Sequence, residues 1–399
     1  METGVRYRLI RRTAIYAVLI ATSWSLASRS QSDARQMALT LEQQGKTTEA
    51  EAAWSALAKS QPTNPEPFAH LGLLEAHQEH YTEAVASYRK AMALSPAMPR
   101  LRFNLGLAYF KAGEYREALQ QFKPLLKSEP PASDEAQRLT ILIGMSHYGL
   151  GQFAAAVPFL KQAAESDAQN LQLLLTLAHS CLLSQQYQCV LDEFHSIVAL
   201  SPESAEAHML AGEALDEMKE PVDAIREFHA AVQANPKEPN VHFGLGYLLW
   251  TQGHSPEAAQ EFQAELDNDP EHSQAMLYLA DSEIQMNRMD DARLLLEKAV
   301  KTNPGNPMGH LDLGIVYTEA GRNTEALREL KTAAGLDPND VKAHWRLARL
   351  YRSMGKTAEA NTELTKSKSL NEAADEGLIK AMSRTSHSGS ASQQAPAEK

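Results

Sequence analysis

The sequence predicts an all-α chain: a right-handed α-solenoid of ten helix-turn-helix units, each 34 residues long. Three observations carry this. The 399 residues are rich in Ala, Leu, Glu, Gln and Lys, and runs of Val, Ile and Thr are rare, which favours helices over strands. The stretch LGLAYFKAGEYREALQQF at 105–122 returns as LGYLLWTQGHSPEAAQEF at 245–262, and stepping outward from this pair gives a constant period of 34. Two places in the period are held by the smallest side chains throughout.

The units begin at Gln31, Pro65, Pro99, Gln137, Leu171, Ala205, Pro239, Ser273, Pro307 and Val341, so the array spans 31–374 with Ser133–Ala136 left over as an insertion. Place 8 is always Gly or Ala, from Ala38 and Gly72 to Gly314 and Ala348. Place 20 is alanine except for Val190. Small residues at one point on each of two helices let the pair cross near the short end of the ~8–10 Å interaxial range. Large side chains at place 24, among them Trp54, Tyr88, Phe122, Phe228 and Phe262, fill the space beside that crossing. Gly45, Gly113, Gly151, Gly253, Gly321 and Gly355 suit the left-handed residue that ends a first helix. Prolines such as Pro62, Pro130, Pro236 and Pro338 stop the second, because proline lacks the donor and clashes with the preceding turn.

Two units depart from the pattern. The fourth follows the insertion and has Ala168 in place of the stop proline; Ser133 or Asp134 offers a cap, so its first helix starts early and a local break in the superhelix is expected. The tenth has Glu372 at the stop position, and residues 371–382 suit a capping extension. Residues 375–399 are thus read as a capping segment followed from Ser383 by a disordered tail, whose composition buries no apolar surface.

The 34-residue period, the Leu105-Gly106 pair, the aromatic Tyr109, the Ala118 and Phe122 pair and the closing Pro130 resemble the tetratricopeptide repeat. The resemblance implies a concave groove lined by places 2, 5, 9 and 12 of the first helices. It assigns to that groove Phe103, Leu107, Phe110, Ile141, Met145, Tyr148, Leu175 and Leu182 in the front half, and a second aromatic cluster of Phe243, Tyr247 and Trp250. Glu206, Glu213, Asp216 and Asp281 make an acidic stretch around that cluster, and Lys342, Arg346, Arg349 and Arg352 a basic patch on the tenth unit. Such a groove takes a protein or peptide segment by its apolar side chains, with charge setting orientation. The competing reading is that these side chains pack on neighbouring helices, and that the arginines form a solvated face. Two known family sites are not supported. The clamp for a chaperone's terminal carboxylate retains only Arg35, Arg100 and Asn104, with Leu39 and His70 where asparagines belong; the asparagine ladder of sugar-transferring relatives has Asn104 alone at its place.

Arg6, Arg8, Arg11 and Arg12 precede the apolar run Ala14–Ala27, and Ser25 and Ala27 fit signal-peptidase spacing. Residues 1–27 are read as a cleaved signal or a membrane anchor, the membrane contact falling in 9–27; the run is short for a span of ~20 residues. The body is then exported to the periplasm or the extracytoplasmic face. The formal charge of −12 lacks the basic face that a nucleic-acid binder needs. No nucleophile motif, phosphate loop or paired-cysteine zinc site occurs, so neither catalysis nor a cofactor is expected. His208, His242, His310 and His344 recur at place 4, where packing rather than metal binding is the natural role. Cys181 and Cys189 fall on the two helices of unit five, and export would permit a disulfide; their geometry decides. The sequence thus points to a non-enzymatic interaction scaffold of the cell envelope. Rival roles are an assembly or secretion factor anchored at the membrane, and an accessory to glycan processing that uses Tyr247 and Trp250 for stacking.

Overall fold

A computed structural model describes residues 32–131 and 133–388, with side chains through residue 373. Residues 1–27, read above as a signal or anchor, and residues 389–399 of the segment read as a tail lie outside the described residues. Twenty helices and no strands occur among those described. By contacts the chain divides into two bodies, at Ser196 and Ile197.

The first body holds α1 (32–43), α2 (Thr47–Ser60), α3 (Pro65–His77), α4 (Tyr81–Leu94), α5 (Leu101–Lys111), α6 (Tyr115–Ser128), α7 (Asp134–Gly149), α8 (Phe153–Ser166) and α9 (Leu171–Leu183), and α10 (Tyr187–Leu200) crosses the division. The second holds α11 (Ala205–Glu217), α12 (Pro221–Ala234), α13 (Val241–Thr251), α14 (Ser255–Asn268), α15 (Ser273–Gln285), α16 (Met289–Thr302), α17 (Pro307–Glu319), α18 (Asn323–Leu336), α19 (Val341–Ser353) and α20 (Thr357–Ser388). Consecutive helices pack on one another from α2 to α9 and from α11 to α20, as paired helices with short turns require. First helices also touch first helices, α3 with α5 and each of α11, α13, α15 and α17 with the next. In the second body the first helices α11, α13, α15, α17 and α19 therefore form one continuous layer.

Place 8 is small because place 24 lies directly on it. A Cβ added at Gly212 would sit 2.6 Å from the Phe228 ring, at Gly246 2.9 Å from Phe262, and at Gly314 2.6 Å from Leu330. Gly72 meets Tyr88, Gly106 meets Phe122 and Gly144 meets Leu160 in the same way. The large partners Trp54, Phe122, Leu160, Phe262 and Leu296 are fully buried. Close approach and burial are one event here, since contacts in a close-packed interior fall off steeply with any gap.

The turn between the paired helices is more uniform than its residues. Place 15 takes positive φ in all ten units: at the six glycines, and also at Glu79, Gln185, Lys219 and Asn287. The same pair of backbone bonds closes it whichever residue is present: Gly113 and Glu114 donate to Phe110 and Tyr109, and Lys219 and Glu220 to Asp216 and Leu215.

Ser133 caps α7, its hydroxyl accepting from the Ala136 amide, so the fourth unit does begin early. The apolar core continues past the insertion: one cluster runs from Ala38 through Phe122 to Leu139 and Ile143. The inserted residues are absorbed as an added turn on α7 rather than as a gap. At the other end α20 is a single helix to Ser388, passing through the capping stretch and across the first residues of the segment read as a tail. Cys181 and Cys189 form a disulfide with Cα atoms 5.9 Å apart, which resolves the pairing that the sequence left open.

Candidate functional site

The largest aromatic assembly on the layer of first helices stands on α13, α14 and α15. Val241–Thr251 starts with Asn240 in the left-handed conformation, which leaves its side chain unable to cap. Glu265 of α14 supplies the cap instead: its buried carboxylate accepts the Asn240 amide at 3.1 Å and the Phe243 amide at 3.0 Å. This bond fixes the helix start, and with it the register of Phe243, Tyr247 and Trp250.

Those three rings are half-buried and stand in one row, Phe243 to Tyr247 at 6.3 Å and Tyr247 to Trp250 at 6.0 Å between centroids. Tyr278 of α15 packs edge-on against both, at 5.4 Å from Tyr247 and 5.0 Å from Trp250. The rings contact one another directly, so they form a platform rather than a hollow cage. Burial, then Tyr247 and Asp281, raise the Tyr278 hydroxyl above its ordinary pKa. Trp250 donates its indole N–H to Asp281 Oδ2 at 2.6 Å, and Gln285 donates to the same oxygen.

This bond belongs to a diagonal register. Trp250 at place 12 reaches Asp281 at place 9 of the next unit, 31 residues on, and Tyr148 reaches His179 Nδ1 at 2.7 Å with the same separation. One further step of 31 leads from Asp281 to Asp312 on α17. Asp312 is only 6% exposed, and its Oδ2 has no hydrogen-bond partner. Burial, then Asp281, pushes its pKa up to about 8, against the pull of Lys342 and Arg346. Glu213 on α11 is exposed to solvent, yet surrounding protein raises its pKa too.

On α19, Arg346 is half-buried and held below its ordinary pKa, by burial first and then by Arg349. Arg349 and Arg352 are exposed, as expected of a solvated face. Both Arg346 and Arg349 lie over the exposed Trp345, at 5.2 and 4.8 Å from its ring. Trp345 occupies place 5, so the groove spacing itself points to it, and it joins the site here for the first time.

In the first body the groove residues are more deeply committed to packing. Phe103 leans on Phe122 at 6.1 Å and Phe110 on Tyr115 at 5.6 Å, and both pack against the core. Leu107, Met145 and Tyr148 keep half-exposed faces. Leu175 and Leu182 do not line a groove: at 7% and 8% exposure they are core residues of α9. The clamp fragments are used internally, Arg35 by Glu66 and Asn104 by the Tyr88 hydroxyl.

The place-4 histidines pack, as expected, but with a specific partner. His208, His242, His310 and His344 bond through Nδ1 to Glu227, Glu261, Glu329 and Glu363, at 2.9, 2.6, 2.7 and 2.6 Å. The glutamates stand at place 23, 19 residues on, and that constant offset was the available signal. Among the described residues no three of His, Cys, Asp or Glu converge so as to hold a metal. No described helix is long and apolar enough to cross a membrane.

Family models described as tetratricopeptide repeat match residues 35–99, 191–239 and 243–307, 75–140 and 317–369, and 138–170. Among curated proteins none matches the chain. Similar solved structures include that of YrrB, described as a TPR protein with an unusual peptide-binding site, at 18% identity and a TM-score of 0.40, covering 44% of this chain and 91% of that one. MamA from Desulfovibrio magneticus RS-1 aligns at 20% identity and 0.40, covering 43% and 97%. PilF of Pseudomonas aeruginosa aligns at 18% and 0.44, covering 50% and 89%.

Proposed function

The chain belongs to the tetratricopeptide-repeat family, and from that premise we propose that it is a non-enzymatic scaffold of the cell envelope which binds partner segments along the inner layer of first helices. Membership implies a protein–protein interaction role; the groove and the location are the proposal. The observation that carries the groove is the half-exposed platform of Phe243, Tyr247, Trp250 and Tyr278, whose rings are held rigid by one another and by the Trp250–Asp281 bond. Rigid aromatics lose little side-chain entropy on binding, which is why Trp and Tyr anchor interfaces. Export is supported by the arginine-led apolar run at the N-terminus and by the Cys181–Cys189 bridge, which an oxidising compartment maintains.

Crosslinking and recovery of the full chain from envelope fractions, beside a chain lacking residues 1–27, tests both parts. A dominant partner is expected whose crosslinks map to the seventh and eighth units, which carry the aromatic platform. Replacing Phe243, Tyr247 and Trp250 together by Ala is expected to weaken its capture about tenfold or more. Unchanged recovery would sink the groove, and a full chain found in the cytoplasm would sink the export.

A further inference from the structure

We propose that the inner face of the seventh to ninth units receives a basic side chain, arginine or lysine, from the bound segment: its stem lies on Tyr247, Trp250 and Tyr278, and its charged head meets Asp281 and Asp312. This rests on the groove reading above and adds the chemistry of what enters.

The first ground is the missing donor at Asp312. Buried polar atoms in folded proteins nearly always have a partner, and one left without commonly marks a place that something else completes. The groups facing it are Asp281 from α15 and Asp340, Lys342 and Arg346 from α19 and its cap, and none supplies a donor to Oδ2. The second ground is register. Trp250, Asp281 and Asp312 follow one another at steps of 31 residues across three adjacent first helices, so ring and carboxyls lie on one diagonal of the inner layer. The third is the sign of the surroundings. Ring faces are electron-rich, and Trp250 and Gln285 both spend their donors on a single oxygen of Asp281. Glu206, Glu213 and Asp216 carry the negative field into the preceding unit; Lys342 and Arg346 pull the other way at Asp312, where burial and Asp281 outweigh them, and Arg346 and Arg349 lie over Trp345.

An anionic group entering this diagonal would meet two carboxyls, and a neutral amide would leave the ring faces and the field unused. A guanidinium suits all three grounds at once: it stacks on aromatic faces and donates in a planar fork to carboxylates, its charge favouring the ionised form of Asp312, which gives up its proton as the cation arrives. An ammonium suits the same place as a point charge.

Acetylated and amidated hexa-arginine, titrated into the full chain at low salt by calorimetry, tests this, with hexacitrulline and hexaglutamate as neutral and acidic counterparts. Hexa-arginine is expected to bind and hexaglutamate not to. Asp281→Asn and Asp312→Asn are each expected to weaken hexa-arginine about tenfold. Asp291→Asn, which removes an exposed charge on α16, is expected to change it less than twofold; helical circular dichroism verifies that each variant folds. Equal weakening by all three variants would show only the general field of an acidic protein and overturn the proposal. If hexacitrulline binds as tightly as hexa-arginine and Trp250→Ala weakens both, the groove binds peptides but the basic head is refuted. If Trp250→Ala changes nothing for any peptide, the groove reading falls as well.

Discussion

Asp312 couples the site to pH through stability as well as through binding. Its folded pKa, about 8, lies above the ordinary aspartate value of 3.8, so the folded chain holds a proton that the unfolded chain releases. Between those values the unfolded state binds fewer protons, and folding stability falls as pH rises, by at most about 1.4 kcal/mol per pH unit from this one group. Asp312→Asn removes the titration. Thermal melts from pH 5 to 9 are expected to show the wild type losing stability relative to the variant as pH rises; parallel curves would refute the buried, protonated carboxyl. None of this was legible in the sequence, where Asp312 is one polar letter at place 6 and nothing signals that its neighbours leave it without a donor. The place-4 histidines were half legible. Their packing role followed from the repeat, but the Glu partner required comparing two places across units: where place 4 is histidine, place 23 is glutamate. Trp345 was fully legible, because the spacing that selects Phe243 also selects it.

At the scale of the element, the repeat fixes backbone before it fixes side chains. The turn after each first helix needs one left-handed residue, and six units supply glycine while Glu79, Gln185, Lys219 and Asn287 take the same conformation. An L-residue there is strained by roughly 1 kcal/mol, since its Cβ crowds the following carbonyl. Lys219 is exposed, so Lys219→Gly is expected to stabilise the chain by up to about 0.5 kcal/mol in urea unfolding, net of the roughly 0.5–1 kcal/mol of entropy that glycine adds to the unfolded state. A destabilised variant would show that the lysine side chain does something the turn does not account for. The glycines announced the turn in the sequence; the other four positions were invisible to residue type and visible only to the period. The start of α7 was read from Ser133, whereas the continuity of the core past it was not, because a four-residue insertion is about one helical turn and can be absorbed by lengthening the helix.

Over the whole molecule, a helix pair touches its neighbours in sequence and little beyond, so stability is a sum of unit and nearest-interface terms rather than one global core. The periodic fold was legible for this reason, since a local rule repeated ten times is easier to read than a long-range one; the groove's chemistry was less so, because it arises from diagonals that cross units. The same locality sets how damage spreads. Gly106 lies under the Phe122 ring, which a Cβ would approach to 2.5 Å, so Gly106→Leu forces the third pair of helices, α5 and α6, apart. Their separation disturbs α4 and α7 directly, through the faces they share, and more distant helices only through those. Amide hydrogen exchange on the full chain is expected to lose protection by about tenfold or more from α3 through α8 while α13 to α20 keep theirs, a tenfold change corresponding to about 1.4 kcal/mol of opening free energy. Uniform loss along all ten units would mean that they fold as one cooperative block, and the nearest-neighbour account would have to be abandoned. Graded loss, strongest at α5 and α6, would confirm that each pair owes its stability to the pairs on either side.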